Sequence, residues 1–356
     1  MEQVVTPVAQ RMIRALPKAE VHVHLEGAID LGDLLEQAKA TGIRLPGPAA
    51  TLFDTATHEH PPAGSELSAY LRFLDWEGSL FRSREQLARL AYRFAARQSA
   101  SGVRYTDVIV NPTHWPTWRG DLDGLLDALA AGLDEAEADG LCVVNLCVSI
   151  DRGQSRTEAV ELASRLVDRR PARVVALSID GDEAVSGRTA PTFAPAFEIA
   201  RDGGLHRTVH AGESSGPEGV WDALTLLHAD RIDHGIRAVE DDRLLDHLAA
   251  TGIPLGICPT SNLTLGLAPD LASHPLRRLL DRGVVVTINT DDPAPLGTSL
   301  EAEWALCAAA FGWAEHDLAR LARTSFAASF APAELIAALS AEVDLVRERF
   351  ASEVRT

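Results

Sequence analysis

The feature that most constrains the fold is a repeated alternation of short apolar runs with longer segments of helical periodicity. Eight runs have the length of a strand. They are Glu20–Leu25, Val103–Val110, Cys142–Ile150, Val174–Ile179, Arg207–His210, Arg231–His234, Pro254–Cys258 and Val284–Asn289. Strand followed by helix, eight times over, predicts parallel strands joined by right-handed crossovers. Eight such units in one chain fit a closed (β/α)8 TIM-type barrel of the α/β class better than an open sheet.

The segments between the strands are rich in Ala, Leu, Glu and Arg, as outer helices of a barrel would be. The predicted helices are Glu85–Ser99, Leu122–Asp139, Arg156–Arg169, Pro195–Asp202, Pro217–Leu227, Glu240–Ala250 and Pro275–Arg282. No low-complexity linker divides the chain, so we expect residues 1–356 to form a single domain.

Two regions exceed a minimal barrel. Residues 31–80 hold a Pro/Gly-rich stretch, Leu45–Pro62, and an apolar-aromatic one, Tyr70–Trp76. They predict a helical insertion that is either an extra helical layer or a hydrophobic lid over the barrel mouth. Residues 299–356 predict three further helices that pack on the barrel, namely Glu301–Phe311, Ala314–Thr324 and Ala333–Ala351.

Composition excludes several classes of function. The net charge of -18 disfavours nucleic acid and anionic membranes as partners and suits a small neutral or cationic substrate. Lys18 and Lys39 are the only lysines, so a Walker A loop is absent. We expect a cytoplasmic protein, since there is no signal-peptide pattern and no run of about 18 apolar residues. The four cysteines form no Cys-x-x-Cys pair, so neither disulfides nor a thiolate zinc site is expected.

Histidines at predicted strand ends indicate a metal site. Residues two apart in a strand face the same way, so His22 and His24 would present two imidazoles into the barrel. A lone interior histidine is usually a satisfied core residue, but a His-x-His pair at a strand end is more specific. His210 and Asp291 follow other predicted strands. Three imidazoles and a carboxylate suit one zinc ion per chain better than calcium or magnesium, with manganese and iron as alternatives.

The same strand ends carry candidates for proton transfer. A zinc ion lowers the pKa of its bound water, but expelling a poor leaving group also needs a proton donor. Glu213, three residues after His210, could supply it, or it could be an acid at the start of the next helix. His234 could orient the water or stabilise charge developing on it. Asp292 could accept a hydrogen bond from a metal ligand or contact the substrate.

Six motifs in the predicted strand ends resemble, in order, those of the adenosine deaminase family of the amidohydrolase superfamily. They are His22–Ala28, Gly181–Glu183, His210–Glu213, Arg231–Gly235, Cys258–Asn262 and Asn289–Pro293. The resemblance implies a (β/α)8 barrel that uses zinc and water to convert a 6-aminopurine into the 6-oxopurine and ammonia. The implied zinc ligands are His22, His24, His210 and Asp291. The resemblance also implies that Glu213 protonates purine N1, that His234 assists the hydroxide and that Asp292 and the backbone of Gly181 contact N7 and N3.

The resemblance implies the substrate less closely than it implies the reaction. Glu26 stands where adenosine deaminases usually have the aspartate that contacts the ribose 5′-hydroxyl, and adenine and aminodeoxyfutalosine deaminases commonly have glutamate. Asn289–Asp291 and Cys258–Asn262 are more similar to nucleoside deaminases. No Arg/Lys cluster suits a 5′-phosphate. We therefore rank adenosine and 2′-deoxyadenosine first, a 5′-modified adenosine such as aminodeoxyfutalosine or methylthioadenosine second, adenine third and AMP last.

Expected substrate contacts are His24, Glu26, Gly181 and Asp292, and His114 and Trp115 are either further contacts or a packed loop. Other classes fit less well. A binuclear amidohydrolase would need a lysine near Ile179–Gly181, and the cytidine-type deaminase motif is absent. A catalytically inert purine-binding relative would be expected to have lost a metal ligand or the acid, and all of these are present.

Overall fold

The computed structural model describes residues 5–53 and 66–353, with side chains throughout except at 66–71 and 352–353, and its eight parallel strands lie side by side in chain order. The strands are β1 Lys18–His24, β2 Val103–Val110, β3 Val143–Asp151, β4 Val174–Asp180, β5 His206–Ala211, β6 Arg231–His234, β7 Leu255–Ile257 and β8 Val286–Ile288. Each is parallel to the next. The predicted (β/α)8 barrel is therefore confirmed.

The residues after β8 complete the ring against β1. Val23 pairs with Asp291 in a parallel bridge. The amide of His24 donates to the carbonyl of Asp291 at 2.8 Å, and the amide of Asp291 donates to the carbonyl of His22 at 3.2 Å. This closure places the three metal-ligand candidates of the first and last strands on one short stretch of ladder.

Helices of the described residues surround the barrel. They are α1 Pro7–Ala15, α2 Leu31–Thr41, α3 Glu66–Ser79, α4 Arg84–Ala100, α5 Leu122–Ala138, α6 Arg156–Arg169, α7 Glu183–Ser186, α8 Ala190–Asp202, α9 Pro217–Thr225, α10 Asp242–Thr251, α11 Pro259–Thr264, α12 Leu276–Asp281, α13 Leu300–Phe311, α14 Glu315–Ala327 and α15 Ala333–Glu353. The sequence did not predict α1, which buries Met12 and Ile13. It contacts α13, α14 and α15.

The predicted start of α8 was wrong. The sequence pattern predicts Pro195 as the first helical residue, but the helix begins at Ala190 and contains Pro195 in its interior. Proline has no N–H, so the carbonyl one turn earlier, that of Pro191, lacks its usual donor. Arg156 supplies one instead, because its Nη2 donates to Pro191 O at 3.0 Å.

The insertion supplies helices α2 and α3. Residues 54–65, and the side chains of Tyr70 and Leu71 in the expected lid, lie outside the described residues. Phe73 and Leu74 of α3 belong to the main hydrophobic core. The helix also contacts the turns Glu26–Ala28 and Pro112–His114, which directly follow β1 and β2. It therefore lies at the end of the barrel where those strands finish.

Buried charge occupies the lower interior of the barrel. Arg231 Nη1 donates to Asp107 Oδ2 at 2.9 Å and to Ala328 O at 3.1 Å. Tyr105 donates its hydroxyl to the other oxygen of Asp107 at 2.7 Å. These fully buried groups pair with one another, although Nε and Nη2 of Arg231 have no hydrogen-bond partner among the described residues. Among the helices of residues 5–53 and 66–353, none combines the length and apolar character needed to cross a bilayer.

Candidate active site

Four histidines and one aspartate converge where the barrel strands end. His22 and His24 lie in the last three residues of β1, and His210 is the penultimate residue of β5. His234 is the last residue of β6, and Asp291 follows β8. The Nε2 atoms of His22 and His24 lie 3.2 Å and 3.4 Å from Asp291 Oδ1. The Nε2 atoms of His24 and His210 are 3.1 Å apart. The structure thus brings all four sequence-predicted ligands together.

These separations suit a tetrahedral metal. Zinc binds histidine nitrogen and carboxylate oxygen at about 2.0–2.1 Å, which places neighbouring tetrahedral ligand atoms about 3.3 Å apart. A second grouping is also present, because single ligand atoms of His22, His210, His234 and Asp291 all lie within 4.8 Å of one another. His234 could therefore replace His24 in the ligand set on distance alone.

The outer atoms of the ligands are held in place. His22 Nδ1 lies 2.9 Å from the carbonyl oxygen of Gly256, so Nδ1 carries a proton and donates it to that oxygen. The other ring nitrogen, Nε2, faces the cluster and has no hydrogen-bond partner among the described residues. Asp233 Oδ2 lies 3.6 Å from His210 Nδ1. Ser261 donates to Asp291 Oδ2 at 2.7 Å. A buried Nε2 without a partner, on a ring oriented by the carbonyl oxygen of Gly256, fits a metal ion.

Except for His22, which would give up a proton to a bound ion, the groups of the cluster are held in the protonation states that suit metal binding. Burial lowers the pKa of His24 and of His234 to about 4, and burial with the neighbouring imidazoles lowers that of His210 well below its usual value. Burial opposes charge on His22 too, but Asp233 and Asp291 outweigh it and raise the pKa to about 9. Burial acts to raise the pKa of Asp291, yet His234 and His22 hold it well below its ordinary value. Neutral imidazole and carboxylate are the forms that bind metal.

Two site residues have a left-handed backbone. His234 and Asp291 both have φ of 66° and are among five described non-glycine residues with positive φ. Such conformations cost free energy and persist only where surrounding structure fixes them. The ladder contacts of Asp291 with β1 provide that support.

Glu213 lies beside the cluster on the loop after β5. Its Oε1 is 3.3 Å from His234 Nε2, whose other carboxylate neighbour is Asp291 Oδ2 at 3.7 Å. Burial, with Asp291 and Glu183, raises the pKa of Glu213 to about 8. A carboxyl group that keeps its proton near neutral pH can act as an acid.

Glu183 holds the loop that carries Glu213. Its Oε2 accepts the amides of Glu213, Ser214 and Ser215 at 3.0–3.1 Å, and its Oε1 accepts the Ser215 hydroxyl at 2.7 Å. Burial acts to raise the pKa of Glu183, but Arg152 and these donors lower it overall. The ionised carboxylate thus fixes the backbone next to the candidate acid.

The loop after β2 holds Glu26. Trp115 is fully buried, and its Nε1 donates to Glu26 Oε1 at 2.6 Å. The amide of Asn111 donates to the same oxygen at 2.9 Å. His114 Nδ1 lies 2.9 Å from Asp75 Oδ1 on α3. Of the two interpretations of this loop, the contacts among the described residues show packing that fixes Glu26.

The two remaining expected substrate contacts, Gly181 and Asp292, lie on the segments that follow β4 and β8. Gly181 follows β4 with φ of 96°, beside Asp151 and Arg152. Asp292 lies against Gly27, where an added Cβ would be 1.7 Å from its Oδ1. The turn after β1 therefore needs glycine for the close approach of this carboxyl group.

Sequence reasoning missed several supporting groups. Asp233 and Ser261 lie inside motifs that were singled out, but no role was given to them. Asp233 could have been found from strand pairing, because it stands opposite His210 in the β5–β6 ladder. Asp180, 3.8 Å from His24 Nδ1, directly follows a predicted strand, and that position was its signal. Glu77, on α3, had no sequence signal that could have identified it.

Comparison with known proteins extends these observations. Residues 17–346 match the sequence model of the adenosine deaminase family. An adenine deaminase of Sinorhizobium medicae is 35% identical over 321 residues, covering 90% of this chain and 95% of the relative. An aminodeoxyfutalosine deaminase of Streptomyces avermitilis is 38% identical over 337 residues, covering 93% and 91%. A zinc-bound amidohydrolase of Burkholderia ambifaria has a TM-score of 0.85 at 28% identity, covering 98% of this chain and 96% of that one.

Proposed function

The chain belongs to the adenosine deaminase family and is a hydrolytic deaminase, and we propose that it uses one zinc ion to deaminate a 6-aminopurine to the 6-oxopurine and ammonia. The observation that carries this proposal is the convergence of three imidazoles and Asp291 beside Glu213. A metal site alone would suit many hydrolases. The adjacent carboxyl group with a raised pKa supplies the proton that the purine ring must take up at N1 before its amino group can be displaced.

The side chains divide the work. His22, His24, His210 and Asp291 would hold zinc, which when bound supplies a nucleophilic oxygen from water at neutral pH. Glu213 donates its proton to N1, which makes C6 more electrophilic. His234, between Glu213 and Asp291, takes a proton from the attacking water. Oxygen then adds at C6, the proton held by His234 passes to the amino group, which leaves as ammonia, and the O–H proton at C6 returns to Glu213 as the C6=O bond forms.

The purine is held by the other predicted contacts. Asp292 meets N7, the backbone of Gly181 meets N3, and His24 borders C6. Glu26 lies toward the N9 substituent, and its Oε1 is fixed by Asn111 and Trp115. Burial raises the pKa of Glu26, and a carboxyl group there, charged or neutral, supplies no cation to pair with a 5′-phosphate.

The group on N9 separates the candidates. Adenosine ranked first from the sequence, but the relatives are named adenine deaminase and aminodeoxyfutalosine deaminase, and these substrates fit Glu26 at least as well. We therefore propose the 6-aminopurine ring as the recognised unit. Adenine, adenosine and 5′-modified adenosines are its three candidate forms.

A substrate panel tests this proposal. We expect loss of 6-aminopurine absorbance and release of ammonia with at least one of adenine, adenosine, 2′-deoxyadenosine, methylthioadenosine and aminodeoxyfutalosine, and the lowest kcat/KM with AMP. Parallel measurement of kcat/KM ranks the N9 groups. A preference for cytosine or guanine nucleosides over every 6-aminopurine would contradict the substrate class.

Gly27→Ala should lower deaminase activity by displacing the Asp292 carboxyl group. The new Cβ would lie 1.7 Å from Asp292 Oδ1 and 2.4 Å from its Cγ, so the carboxyl group must move. Misplacement by about 1 Å can cost roughly a hundredfold in rate, and we expect kcat/KM to fall by about that factor while bound metal is retained. Gly120→Ala is the control, because nothing lies within 4 Å of its added Cβ. Equal kinetics for the two variants would remove Asp292 from the substrate contacts.

A further inference from the structure

Glu77 is a buried carboxyl group for which the mechanism above has no use. It lies on α3, is 1% exposed, and its Oε2 has no hydrogen-bond partner among the described residues. Burial raises its pKa well above the ordinary value, and Asp292 and Glu26 add to the shift. Keeping such a group without a partner costs free energy, so its presence calls for a ligand.

Helix α3 holds this side chain firmly. At Gly78 an added Cβ would lie 1.8 Å from the carbonyl oxygen of His114, so helix and loop are in backbone contact. Asp75 contacts the His114 ring, and Trp76 Nε1 donates to Arg44 O at 3.1 Å. Contacts on both sides of Glu77 therefore prevent the helix from turning its carboxyl group elsewhere.

A second unpartnered oxygen lies in the same region. Glu26 is also 1% exposed, and its Oε2 has no hydrogen-bond partner among the described residues, whereas Oε1 is occupied. Within residues 5–53 and 66–353, neither Glu26 nor Glu77 forms an ion pair with lysine or arginine. Two elements thus bring open carboxyl oxygens toward Asp292. Among the described residues the cationic neighbour of Glu26 is the His114 ring, which is already paired with Asp75.

We propose that Glu77 contacts the substrate and, with Glu26, accepts a hydrogen bond from a neutral donor at the imidazole end of the purine. This inference rests on the proposed function, in which Asp292 meets N7 and Glu26 faces the N9 substituent. A group that borders both residues faces the edge between N7 and N9. The donor is either N9–H of the free base or a ribose hydroxyl, because both offer one hydrogen to a carboxyl oxygen.

Glu77→Met removes the acceptor and keeps a long side chain suited to a buried helix position. Losing a hydrogen bond to such a group corresponds to a decrease in kcat/KM of roughly ten- to a hundredfold. Glu77→Gln keeps a carbonyl oxygen and should recover part of the loss. Both variants should keep zinc and unfold at the wild-type temperature or above, because an unpartnered buried carboxyl group is removed. A lowered unfolding temperature would instead indicate a structural role and overturn the proposal.

Substrate analogues identify the donor. Adenine against 9-methyladenine tests N9–H, and adenosine against 5′-deoxyadenosine and 2′,3′-dideoxyadenosine tests the hydroxyls. Wild type should prefer the donor-bearing member of one set, and Glu77→Met should lose that preference. Glu85→Gln, an exposed carboxylate in a surface pair with Arg89, is the control. The inference alone fails if wild type deaminates 6-aminopurines and Glu77→Met leaves every preference unchanged. The proposed function fails, and the inference with it, if wild type deaminates none.

Discussion

Replacing His22 by alanine is expected to remove bound zinc and deaminase activity together. His22 Nε2 lies 3.2 Å from Asp291 Oδ1 and has no hydrogen-bond partner in the described part of the chain. Its loss therefore opens the ligand set and removes the imidazole nearest to the Asp291 carboxylate. Metal analysis of protein purified without added metal should give one zinc per wild-type chain and almost none in the variant. Turnover should fall below detection. His316→Ala, at a histidine whose side chain is 78% exposed, should match wild type.

The same analysis separates the two possible ligand sets. If His24 is the fourth ligand, His24→Ala should lose zinc, whereas His234→Ala should keep zinc and lose turnover. The opposite result would place His234 in the metal shell and His24 among the substrate contacts. A reproducible ratio of two metals per chain would contradict the mononuclear mechanism altogether.

The barrel could be predicted because its signals are local. The strands are short runs of a length that a helix seldom has, most of them rich in apolar residues, and the strand ends carry polar motifs. His22 and His24 share a face through the two-residue repeat of a strand, which requires no knowledge of the fold. Once the strand ends are known to meet at one end of a barrel, the convergence of His210 and Asp291 follows.

The groups around the ligands could not be predicted in the same way. The contact of Asp233 with His210 depends on the register between β5 and β6, which hydrophobic periodicity does not fix when both faces are buried. The contact of Asp180 with His24 joins β4 to β1, which are not neighbours in the sheet. The start of α8 was misplaced because a proline in a helix usually stands in the first turn, so Pro195 suggested an N-terminus. Inside the helix, the carbonyl that Pro195 leaves without a donor is satisfied by Arg156, a residue 39 positions earlier that only the fold brings near.

The insertion was the region hardest to predict from the sequence. Its two interpretations differ in where a helix packs, and that depends on distant contacts such as Gly78 against His114 and Asp75 against the same residue. His114 and Trp115 were open for the same reason, since a loop that packs and a loop that binds substrate have similar composition. Glu77 had no signal at all, because a single glutamate in a predicted helix is ordinarily exposed.

Glu213→Gln is expected to retain zinc and lose most turnover. The amide has the size of the carboxyl group and leaves His22, His24, His210 and Asp291 untouched, but it cannot transfer a proton to N1. General acid–base groups contribute roughly a hundred- to ten-thousandfold, so kcat should fall by that factor with the metal content unchanged. KM should change little if the amide still donates a hydrogen bond to N1. Metal analysis and steady-state kinetics on the best 6-aminopurine measure both quantities.

The control must remove a carboxylate without touching the site. Glu198→Gln does so, because Glu198 is exposed on α8 and far from the strand ends that carry the ligands. A Glu213→Gln enzyme within a few fold of wild type would show that protonation of N1 comes from elsewhere. Loss of zinc from the variant would instead indicate that Glu213 supports the cluster through His234, which lies 3.3 Å away. Only retained zinc with lost turnover assigns Glu213 as the acid, because the proton is then the one thing that the substitution removes.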